Sequence, residues 1–402
     1  RFRAPEPDAE ELAEVAAAIA KSKRPLILAG GGVKYALAEK ALARFAETHG
    51  IPVSETQAGK GSLAFDHPLN AGAIGVTGTA AANDLARDAD LVIAVGSRLA
   101  DFPTGSRALF PQAELVQLNV GAFDAAKHAA LPLVADAGKG LAALDRALKS
   151  WSASSAWTVR ARKLSKQWLK TTETATAPRK GKASDAEVLG AVDRAAKRKK
   201  SIMVCAAGGL PGELHKLWRA ADSTEYHLEY GYSCMGYEIA GGLGAKLAKP
   251  EREVYVLVGD GSYLMMNSEI ATSVALDAKL ILVVLDNRGF GCINRLQGAT
   301  SGISFNNLLP SSAPYVDFAA HARSLGADAV KVASIAELEA ALGKARQAKK
   351  TSVIVIDTDP AISTGEGGAW WDVPVTDMPR GAKAQRIRSN YDNKRRRRPA
   401  GD

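Results

Sequence analysis

The residues best suited to chemistry lie in two short polar segments, each directly after an apolar run. Gly-Asp-Gly-Ser at 259–262 follows the run 254–258, and Asp-Asn-Arg-Gly at 286–289 follows the run 280–285. Apolar runs of this length, bounded by turn residues, are typical of buried parallel strands. The carboxyl ends of parallel strands meet at one edge of a sheet, where open α/β sheets bind ligands. We therefore expect the two polar segments to converge.

Asp260 and Asn287 would supply two oxygens of the kind that a hard divalent cation prefers. Mg²⁺ takes six oxygen ligands and usually draws several of them from phosphate and water. With a backbone carbonyl near Gly289, the two side chains would hold Mg²⁺ against a diphosphate, while Gly261 and Ser262 would offer N–H groups and a hydroxyl to its phosphates. A strand-ending turn is the alternative, because Gly and Asp are common in turns. The strand, helix, strand order between Asp260 and Asn287 favours the metal site.

Helical and strand patterns alternate along both halves of the chain, as in parallel doubly wound sheets. The first half predicts a helix at 10–19 and strands at 25–29, 91–95, 115–118 and 131–134. The second half predicts helices at 185–197, 235–247 and 335–348 and strands at 202–205, 254–258, 280–285 and 353–357. We therefore predict an α/β protein with two doubly wound parallel-sheet domains.

A polar stretch rich in Thr, Ala and Lys separates the two halves and predicts a helix followed by a linker. We place the first domain at residues 1–165, the linker at 166–183, the second domain at 184–379 and a basic C-terminal tail at 380–402. The chain has 402 residues, 47% of them hydrophobic and 24% charged. This composition is that of an ordinary globular protein with room for two cores.

The formal net charge of +9 is concentrated in the C-terminal tail. The basic run 394–398 is interpreted as a solvated tail rather than a nucleic-acid site, because no aromatic stacking platform or recognition helix accompanies it. The apolar runs are too short to cross a bilayer, and no signal segment opens the chain, which starts at Arg1 without Met and looks cut or processed. Three cysteines without metal-ligand spacing indicate reduced thiols and a cytoplasmic protein.

The run Gly30-Gly31-Gly32 after the strand at 25–29 invites comparison with a dinucleotide-binding loop. Val33, Lys34 and Tyr35 follow it, so the G-x-G-x-x-G pattern is missing. A tight structural turn is the favoured interpretation.

The Gly-Asp-Gly-Ser segment with Asn287 beyond it resembles the diphosphate-binding signature of the thiamine-diphosphate enzymes related to acetolactate synthase. The resemblance covers both halves, which look like that family's middle (central) and pyrophosphate-binding domains. It implies thiamine diphosphate and Mg²⁺ as cofactors. By that likeness the metal ligands are the Asp260 and Asn287 side chains and the Gly289 carbonyl.

The resemblance also assigns two loops upstream. Met235 falls where the family places the residue that bends the cofactor, and the Ser233 carbonyl would receive its 4'-amino group; without the resemblance, Met235 would be an apolar position that opens a core helix. The loop at 208–212 would lie along the diphosphate. The implied cofactor-binding residues are Gly208, Gly209, Leu210, Ser233, Met235, Gly259, Gly261, Ser262, Asn287 and Gly289.

Four strings, at 229–238, 262–269, 290–297 and 370–374, resemble the family members that open the ring of a cyclic 1,2-diketone in inositol breakdown. This likeness implies hydrolytic C–C cleavage of trihydroxycyclohexane-1,2-dione, with release of 5-deoxy-glucuronate. It also implies a homo-oligomer, either a dimer or a tetramer, with the cofactor between subunits. An acetolactate synthase-like carboligase and a non-catalytic remnant that retains the Mg-diphosphate site are the alternatives.

Enzymes of the family begin with a pyrimidine-binding domain that holds the activating glutamate, and no such domain precedes Arg1 in this sequence. We therefore expect the chain alone to leave the cofactor inactive, and we assign no catalytic residue within it. His215 and His227 lie near the implied loops, although a structural role is favoured for both and for His321. Arg295 is expected either to face substrate or to form a surface ion pair.

Overall fold

A computed structural model describes residues 3–196 and 200–396, which form two parallel sheets in succession. The first half contains α1 (Ala9–Lys21), β1 (Pro25–Ala29), α2 (Gly31–Tyr35), α3 (Glu39–His49), β2 (Val53–Glu55), β3 (Asn70–Ala73), α4 (Ala80–Asp88), β4 (Leu91–Val95), α5 (Asp101–Thr104), β5 (Glu114–Asn119), α6 (Ala122–Ala125), β6 (Leu131–Val134), α7 (Ala137–Leu148) and α8 (Ser155–Thr176). The second half contains α9 (Asp185–Ala195), β7 (Ser201–Cys205), α10 (Leu210–Leu217), β8 (Tyr226–Leu228), α11 (Tyr237–Ala248), β9 (Glu253–Gly259), α12 (Asp260–Tyr263), α13 (Glu269–Ala275), β10 (Ile281–Asp286), α14 (Gly291–Ser301), α15 (Phe318–Ser324), β11 (Asp328–Val332), α16 (Ile335–Gln347), β12 (Ser352–Asp357) and α17 (Ala382–Arg396).

Both sheets have six strands, and every neighbouring pair is parallel. The strand orders are β3-β2-β1-β4-β5-β6 in the first sheet and β11-β12-β10-β9-β7-β8 in the second. Helices flank each sheet, so the predicted α/β class with two doubly wound parallel-sheet domains is confirmed.

The central strands form where apolar runs are buried on both faces. All five residues of β1 and all six of β10 are buried, which explains why these strands are continuous apolar runs instead of alternating patterns. Successive side chains of β9 and β10 point alternately into two cores, one on each side of the second sheet. Packing in these cores holds β9 and β10 in register, so that the two strands end side by side. The polar segments that follow them therefore begin at the same edge of the sheet.

Helix α8 continues through the predicted domain boundary at 165. Its first part packs Trp157 and Ala161 into the core of the first half. Farther along, the Trp168 indole N–H donates to the Lys216 carbonyl in the second half at 3.1 Å. An ordered helix that contacts both halves therefore occupies the first part of the segment predicted as the linker 166–183.

The predicted tail at 380–402 begins with the helix α17, whose Lys383 ammonium donates to the Gly302 carbonyl at 2.9 Å. Part of the basic run 394–398 lies outside the described residues, as does the last residue of the helix predicted at 185–197. Within the described ranges, no helix is both long and apolar enough to cross a membrane.

Buried polar contacts join the two halves around α10. The His215 ring bonds the Glu55 carbonyl at 3.0 Å and the Thr77 hydroxyl at 2.9 Å. The Lys60 ammonium donates to the His215 carbonyl at 3.0 Å, and the Gln57 amide to the Pro211 carbonyl at 2.8 Å. These bonds hold the start of α10, and with it the loop at 208–210, against the first half.

Candidate metal and diphosphate site

The two predicted polar segments meet at the carboxyl edge of the second sheet. Strands β9 and β10 are adjacent, with Leu285 paired to Gly259, so Asp260 and Asn287 follow neighbouring strand ends. The Gly289 N–H donates to Asp260 Oδ2 at 2.8 Å and joins the segments directly. The convergence that the sequence predicted is therefore present.

Asp260 Oδ1 and Asn287 Oδ1, which follow the ends of β9 and β10, are buried and have no hydrogen-bond partner among the described residues. Buried oxygens of this kind are costly unless something binds them. A carboxylate oxygen and an amide oxygen side by side fit a hard cation. Since the described residues hold no cluster of three or more His, Cys, Asp or Glu side chains suited to a metal, such a cation would need further ligands from a bound anion and water.

The electrostatics of the edge also favour a cation. Burial, and secondarily the neighbouring Asp286 carboxylate, raise the pKa of Asp260 to about 6. The hydrogen bond from the Gly289 N–H opposes this rise, because it favours the charged form. Asp286 is itself buried and accepts from the Arg288 N–H at 3.0 Å. Two buried carboxylates in proximity create a field that a divalent cation would balance.

Glycines at this edge allow neighbouring segments to pack closely. A Cβ at Gly261 would lie 2.9 Å from Phe290 Cε1 and 3.6 Å from Met235 Cε, so both side chains lie over this glycine. Gly289 has a φ of +144°, and a Cβ there would lie 2.5 Å from the Asn307 carbonyl oxygen. Gly259 would meet nothing within 4 Å. The Met235 side chain, 36% exposed, thus projects towards the Gly-Asp-Gly-Ser segment.

The sequence predicted that the Ser262 hydroxyl would face a phosphate, but in the structure this hydroxyl points inward. It donates to Glu238 Oε2 at 2.7 Å and accepts from the Gly236 N–H at 2.8 Å. The hydroxyl is held inward because its hydrogen bond to the Glu238 carboxylate is stronger than a bond to a neutral acceptor. The backbone of Ser262 is the part that remains suited to an anion.

Glu238 is a site residue that the sequence reasoning missed. Its side chain is fully buried and accepts from three loops: Oε1 from the Ala207 N–H at 3.2 Å, and Oε2 from the Gly236 N–H at 3.0 Å and from Ser262. Burial raises the pKa of Glu238, and these hydrogen bonds oppose the rise. An acidic residue in the otherwise apolar stretch that opens α11 was the available signal.

The loop at 208–210 leads into α10. Gly208 has a φ of +84° with open space beside it, and Gly209 packs against the Arg295 guanidinium. The Leu210 side chain is buried in the core, so only its backbone is available to a ligand. The Asp185 carboxylate also lies near Gly209; burial raises its pKa to about 6, and the Arg295 charge opposes this rise.

Ser233 adopts a left-handed backbone conformation, with a φ of +54°. This region is unfavourable for a residue with a side chain. Its hydroxyl donates to the Ala206 carbonyl at 3.0 Å, and the Glu229 carboxylate accepts from the Tyr232 and Cys234 N–H groups at 3.0 and 2.7 Å. These bonds over-determine the turn, so its backbone is held in the strained form.

A cavity of about 980 Å³ lies between the two halves. Gly209, Ser233 and Arg295 line it from the second half, and Gly31 and Gly32 line it from the first, where helix α2 begins in place of the predicted turn. This volume is that of a small-molecule site. Gly30 and Gly32 abut Gly96, where an added Cβ would lie 2.3 and 2.6 Å from backbone atoms, and this close approach accounts for the glycines structurally.

The three histidines whose roles the sequence left open all make hydrogen bonds within the chain. Burial, helped by the Lys60 charge, lowers the pKa of His215 to about 3, and both ring nitrogens are engaged between the halves. His227 bonds the Tyr237 hydroxyl at 2.6 Å, and His321 bonds the Tyr263 hydroxyl at 3.0 Å.

Arg295 faces the cavity beside Gly209. It donates to the Pro360 carbonyl at 2.6 Å. Of the two arrangements expected for it, the structure thus shows the inward one. Its guanidinium stands available to an anionic or polar ligand in the cavity.

Comparison with known proteins identifies both halves. Residues 12–144 match the model for the central domain of thiamine pyrophosphate enzymes, and residues 206–356 match the model for their C-terminal thiamine pyrophosphate-binding domain.

Similar curated proteins are named 3D-(3,5/4)-trihydroxycyclohexane-1,2-dione hydrolase. The protein from Geobacillus thermodenitrificans is 37% identical over 98% of this chain, that from Bacillus thuringiensis is 37% identical over 96%, and that from Halalkalibacterium halodurans is 38% identical over 92%. The chain spans 66%, 65% and 63% of these relatives, respectively, slightly less than two thirds of their length. With the two domain matches and the geometry of the carboxyl edge, these similarities show that the chain belongs to the thiamine pyrophosphate enzymes.

Proposed function

We propose that this chain binds thiamine diphosphate and Mg²⁺ at the carboxyl edge of its second sheet. The observation that carries the proposal is the pair of unpartnered buried oxygens, on Asp260 and Asn287, at the ends of adjacent parallel strands. They lie beside Gly259, which has open space next to it, and beside the closely packed Gly261 and Gly289. The match of residues 206–356 to a thiamine pyrophosphate-binding domain supports the same assignment.

Each part of the site would have a distinct task. Asp260 Oδ1, Asn287 Oδ1 and the Gly289 carbonyl would hold Mg²⁺, which in turn neutralises the diphosphate. The backbones of 208–210 and 259–262 would lie along the phosphates. Thiamine diphosphate supplies a carbanion that attacks carbonyl carbon. Met235 and the strained turn at Ser233 would hold its ring portion in one orientation.

We further propose that the whole protein hydrolyses a C–C bond of a cyclic 1,2-diketone. The relatives are named for trihydroxycyclohexane-1,2-dione. Water added across the bond between the two carbonyl carbons leaves one as a carboxylic acid and the other as an aldehyde, so the ring opens without an oxidant. The cavity between the halves, with the Arg295 guanidinium inside it, would accommodate a polyhydroxylated ring.

The proposal extends to location and assembly. Free cysteines at 205, 234 and 292 suit a reducing cytoplasm. Exposed apolar side chains surround the proposed cofactor site, as a homo-oligomeric interface at this edge requires; they include Tyr232, Met265, Met266 and Phe290.

The cofactor proposal is tested by calorimetry of thiamine diphosphate binding to this chain with Mg²⁺ or with EDTA. Binding is expected only with Mg²⁺, and Asp260→Ala should abolish it. Glu251→Ala, which removes an exposed carboxylate from the same half, is the matched control and should bind as the parent does. Binding that ignores Mg²⁺ or survives Asp260→Ala would overturn the proposal.

The reaction is tested on the whole protein with two substrates. Consumption of trihydroxycyclohexane-1,2-dione with formation of an open-chain acid is the expected result. Formation of acetolactate from pyruvate, with the dione untouched, would identify a carboligase instead. No turnover of either substrate, despite Mg-dependent cofactor binding, would indicate a non-catalytic member of the family.

A further inference from the structure

Glu238 connects three segments that end at the proposed cofactor site. It lies in the first turn of α11, two residues after Gly236. Ala207 follows β7, and Ser262 follows β9, so the three bonds to Glu238 tie two strand ends and a helix start together. Ser262 and Gly236 are also bonded to each other, which closes the network.

The network has the features of a constraint and not of a local helix cap. A cap would satisfy N–H groups of its own helix alone, whereas the Ala207 N–H and the Ser262 hydroxyl belong to other elements. The Glu238 side chain is fully buried. A buried carboxylate is tolerated when its oxygens are hydrogen-bonded. If the Glu238 carboxylate is removed, its buried partners are left without an acceptor and bear the cost of desolvation.

The positions next to these bonds are those assigned to the cofactor. Gly208 and Gly209 follow Ala207, Met235 precedes Gly236, and Gly261 precedes Ser262. Each of these positions is therefore one or two residues from an atom that Glu238 holds.

We propose that Glu238 is a positioning residue that holds the 206–209, 233–236 and 259–263 loops in one common arrangement, so that loosening one loop loosens all three. What the three loops bind rests on the proposed function. The coupling between the loops rests only on their hydrogen bonds to Glu238.

Amide hydrogen exchange on the ligand-free chain tests the coupling. Glu238→Gln leaves one acceptor oxygen where two served, and its NH₂ group faces an N–H or hydroxyl that needs an acceptor. We expect exchange to rise roughly tenfold in all three loops together, because a buried group left without its hydrogen-bond partner disfavours the closed arrangement. An increase confined to the first turn of α11 would overturn the proposal.

Glu187→Gln is the matched control, because buried Glu187 accepts from groups of its own segment, at Arg179 and Ser184. It should raise exchange at 179–187 and leave 206–209, 233–236 and 259–263 unchanged. Loosening of all three loops by this control would show general softness and would contradict a specific role for Glu238.

A second variant covers the case in which Glu238→Gln does not fold. Ser262→Ala removes the two bonds of its hydroxyl, to Glu238 and from the Gly236 N–H, while the Ala207 and Gly236 N–H groups retain their bonds to Glu238. Faster exchange should still appear at 233–236 and 206–209. A change restricted to 259–263 would overturn the coupling. If both variants fold, the double variant should be less affected than the product of the two single effects.

Cofactor binding separates this inference from the proposed function. In calorimetry with Mg²⁺ and thiamine diphosphate, Glu238→Gln should bind roughly tenfold more weakly than the parent, the binding counterpart of the same lost bonds. If the parent does not bind although the three loops exchange together, the cofactor assignment fails and the coupling holds. If the parent binds and Glu238→Gln binds equally well, the positioning role is wrong.

Discussion

Asp260 illustrates how a binding residue can oppose folding. One of its carboxylate oxygens is buried without a partner among the described residues, and the Asp286 carboxylate lies close enough to disfavour its charge. A residue retained against such a cost is expected at a functional position, where stability and activity compete.

Asp260→Asn should therefore stabilise the chain while it removes metal-dependent binding. Asn retains an acceptor for the Gly289 N–H and carries no charge to repel Asp286. In EDTA, urea unfolding should show a gain of about 1–2 kcal/mol. Asp277→Asn, at an exposed position of the same half, should change stability little. A loss of stability in Asp260→Asn would contradict this account.

His215 makes stability depend on pH, because the folded chain holds its ring neutral. The pKa of His215 is about 3 in the fold, against an ordinary 6.5. Below pH 6.5 the unfolded chain takes up a proton that the folded chain does not, so stability falls as the pH falls towards 3. Between pH 7 and pH 5 this loss amounts to at most about 2 kcal/mol.

The measurement compares the parent with His215→Gln by urea unfolding at both pH values. The variant lacks the titrating ring, so its stability relative to the parent should improve at pH 5. An equal difference between parent and variant at pH 7 and pH 5 would show that His215 does not carry this dependence.

At the scale of elements, the sequence predicts what depends on local pattern. The long apolar runs gave the central strands of both sheets to within a residue or two, since burial on both faces requires such runs. The short strands β2, β3 and β8 carry three or four residues each and depend on neighbours distant in sequence. Strand order likewise follows from packing between elements, which no single segment encodes.

Helix α8 shows the same limit at a domain boundary. Its polar, Thr-containing second half resembles a linker by composition, yet Trp168 and Thr172 are buried. Contacts with both halves stabilise it as a helix, and tertiary packing overrides propensity here.

The segment between β12 and α17 returns across the first half and is fastened by Glu213 of α10. The Glu213 carboxylate is buried and accepts from the Thr364 N–H at 2.8 Å and from the Thr364 hydroxyl at 2.5 Å. Beyond it, the Gly368 N–H donates to the Gly78 carbonyl and the Asp372 N–H to the Ser106 hydroxyl.

Glu213→Ala should release this segment first. Loss of both bonds leaves the Thr364 N–H buried without an acceptor, at a cost of about 1–3 kcal/mol. Limited proteolysis should cut within 361–377 roughly tenfold faster than in the parent. Glu366→Ala, an exposed change in the same segment, is the control. If both variants are cut at the same rate, Glu213 does not fasten this segment.

Over the whole molecule, the sequence located the candidate site but not its support. Asp260 and Asn287 stand out because parallel strands end at one edge, a rule that applies before any fold is known. Glu238 is invisible to such a rule, because its three partners come from elements separated by tens of residues. The inward turn of the Ser262 hydroxyl follows from Glu238 and was missed for the same reason.

The two halves are joined by buried polar contacts, which should make them unfold together. Lys60 is central to this contact: its ammonium is buried, donates to the His215 carbonyl and lies near the Glu55 carboxylate. Burial lowers the pKa of Lys60 to about 8, while the Glu55 charge opposes that fall. At neutral pH the opposite charges of Lys60 and Glu55 offset each other's cost of burial, and removing one member leaves the other as an unpaired buried charge.

Lys60→Met should therefore destabilise mainly the first half, which contains both Lys60 and Glu55, and should also remove the bond from Lys60 to His215 that joins the halves. The expected cost is about 3–5 kcal/mol, the usual penalty for leaving one buried charge without its partner. In scanning calorimetry the parent should show one transition and the variant two, with the first half melting at the lower temperature because Glu55 belongs to it. Lys40→Met, at an exposed position of the same half, should retain the single transition. A single transition in Lys60→Met, merely shifted downward, would show that the apolar contacts of α8 suffice to couple the two halves.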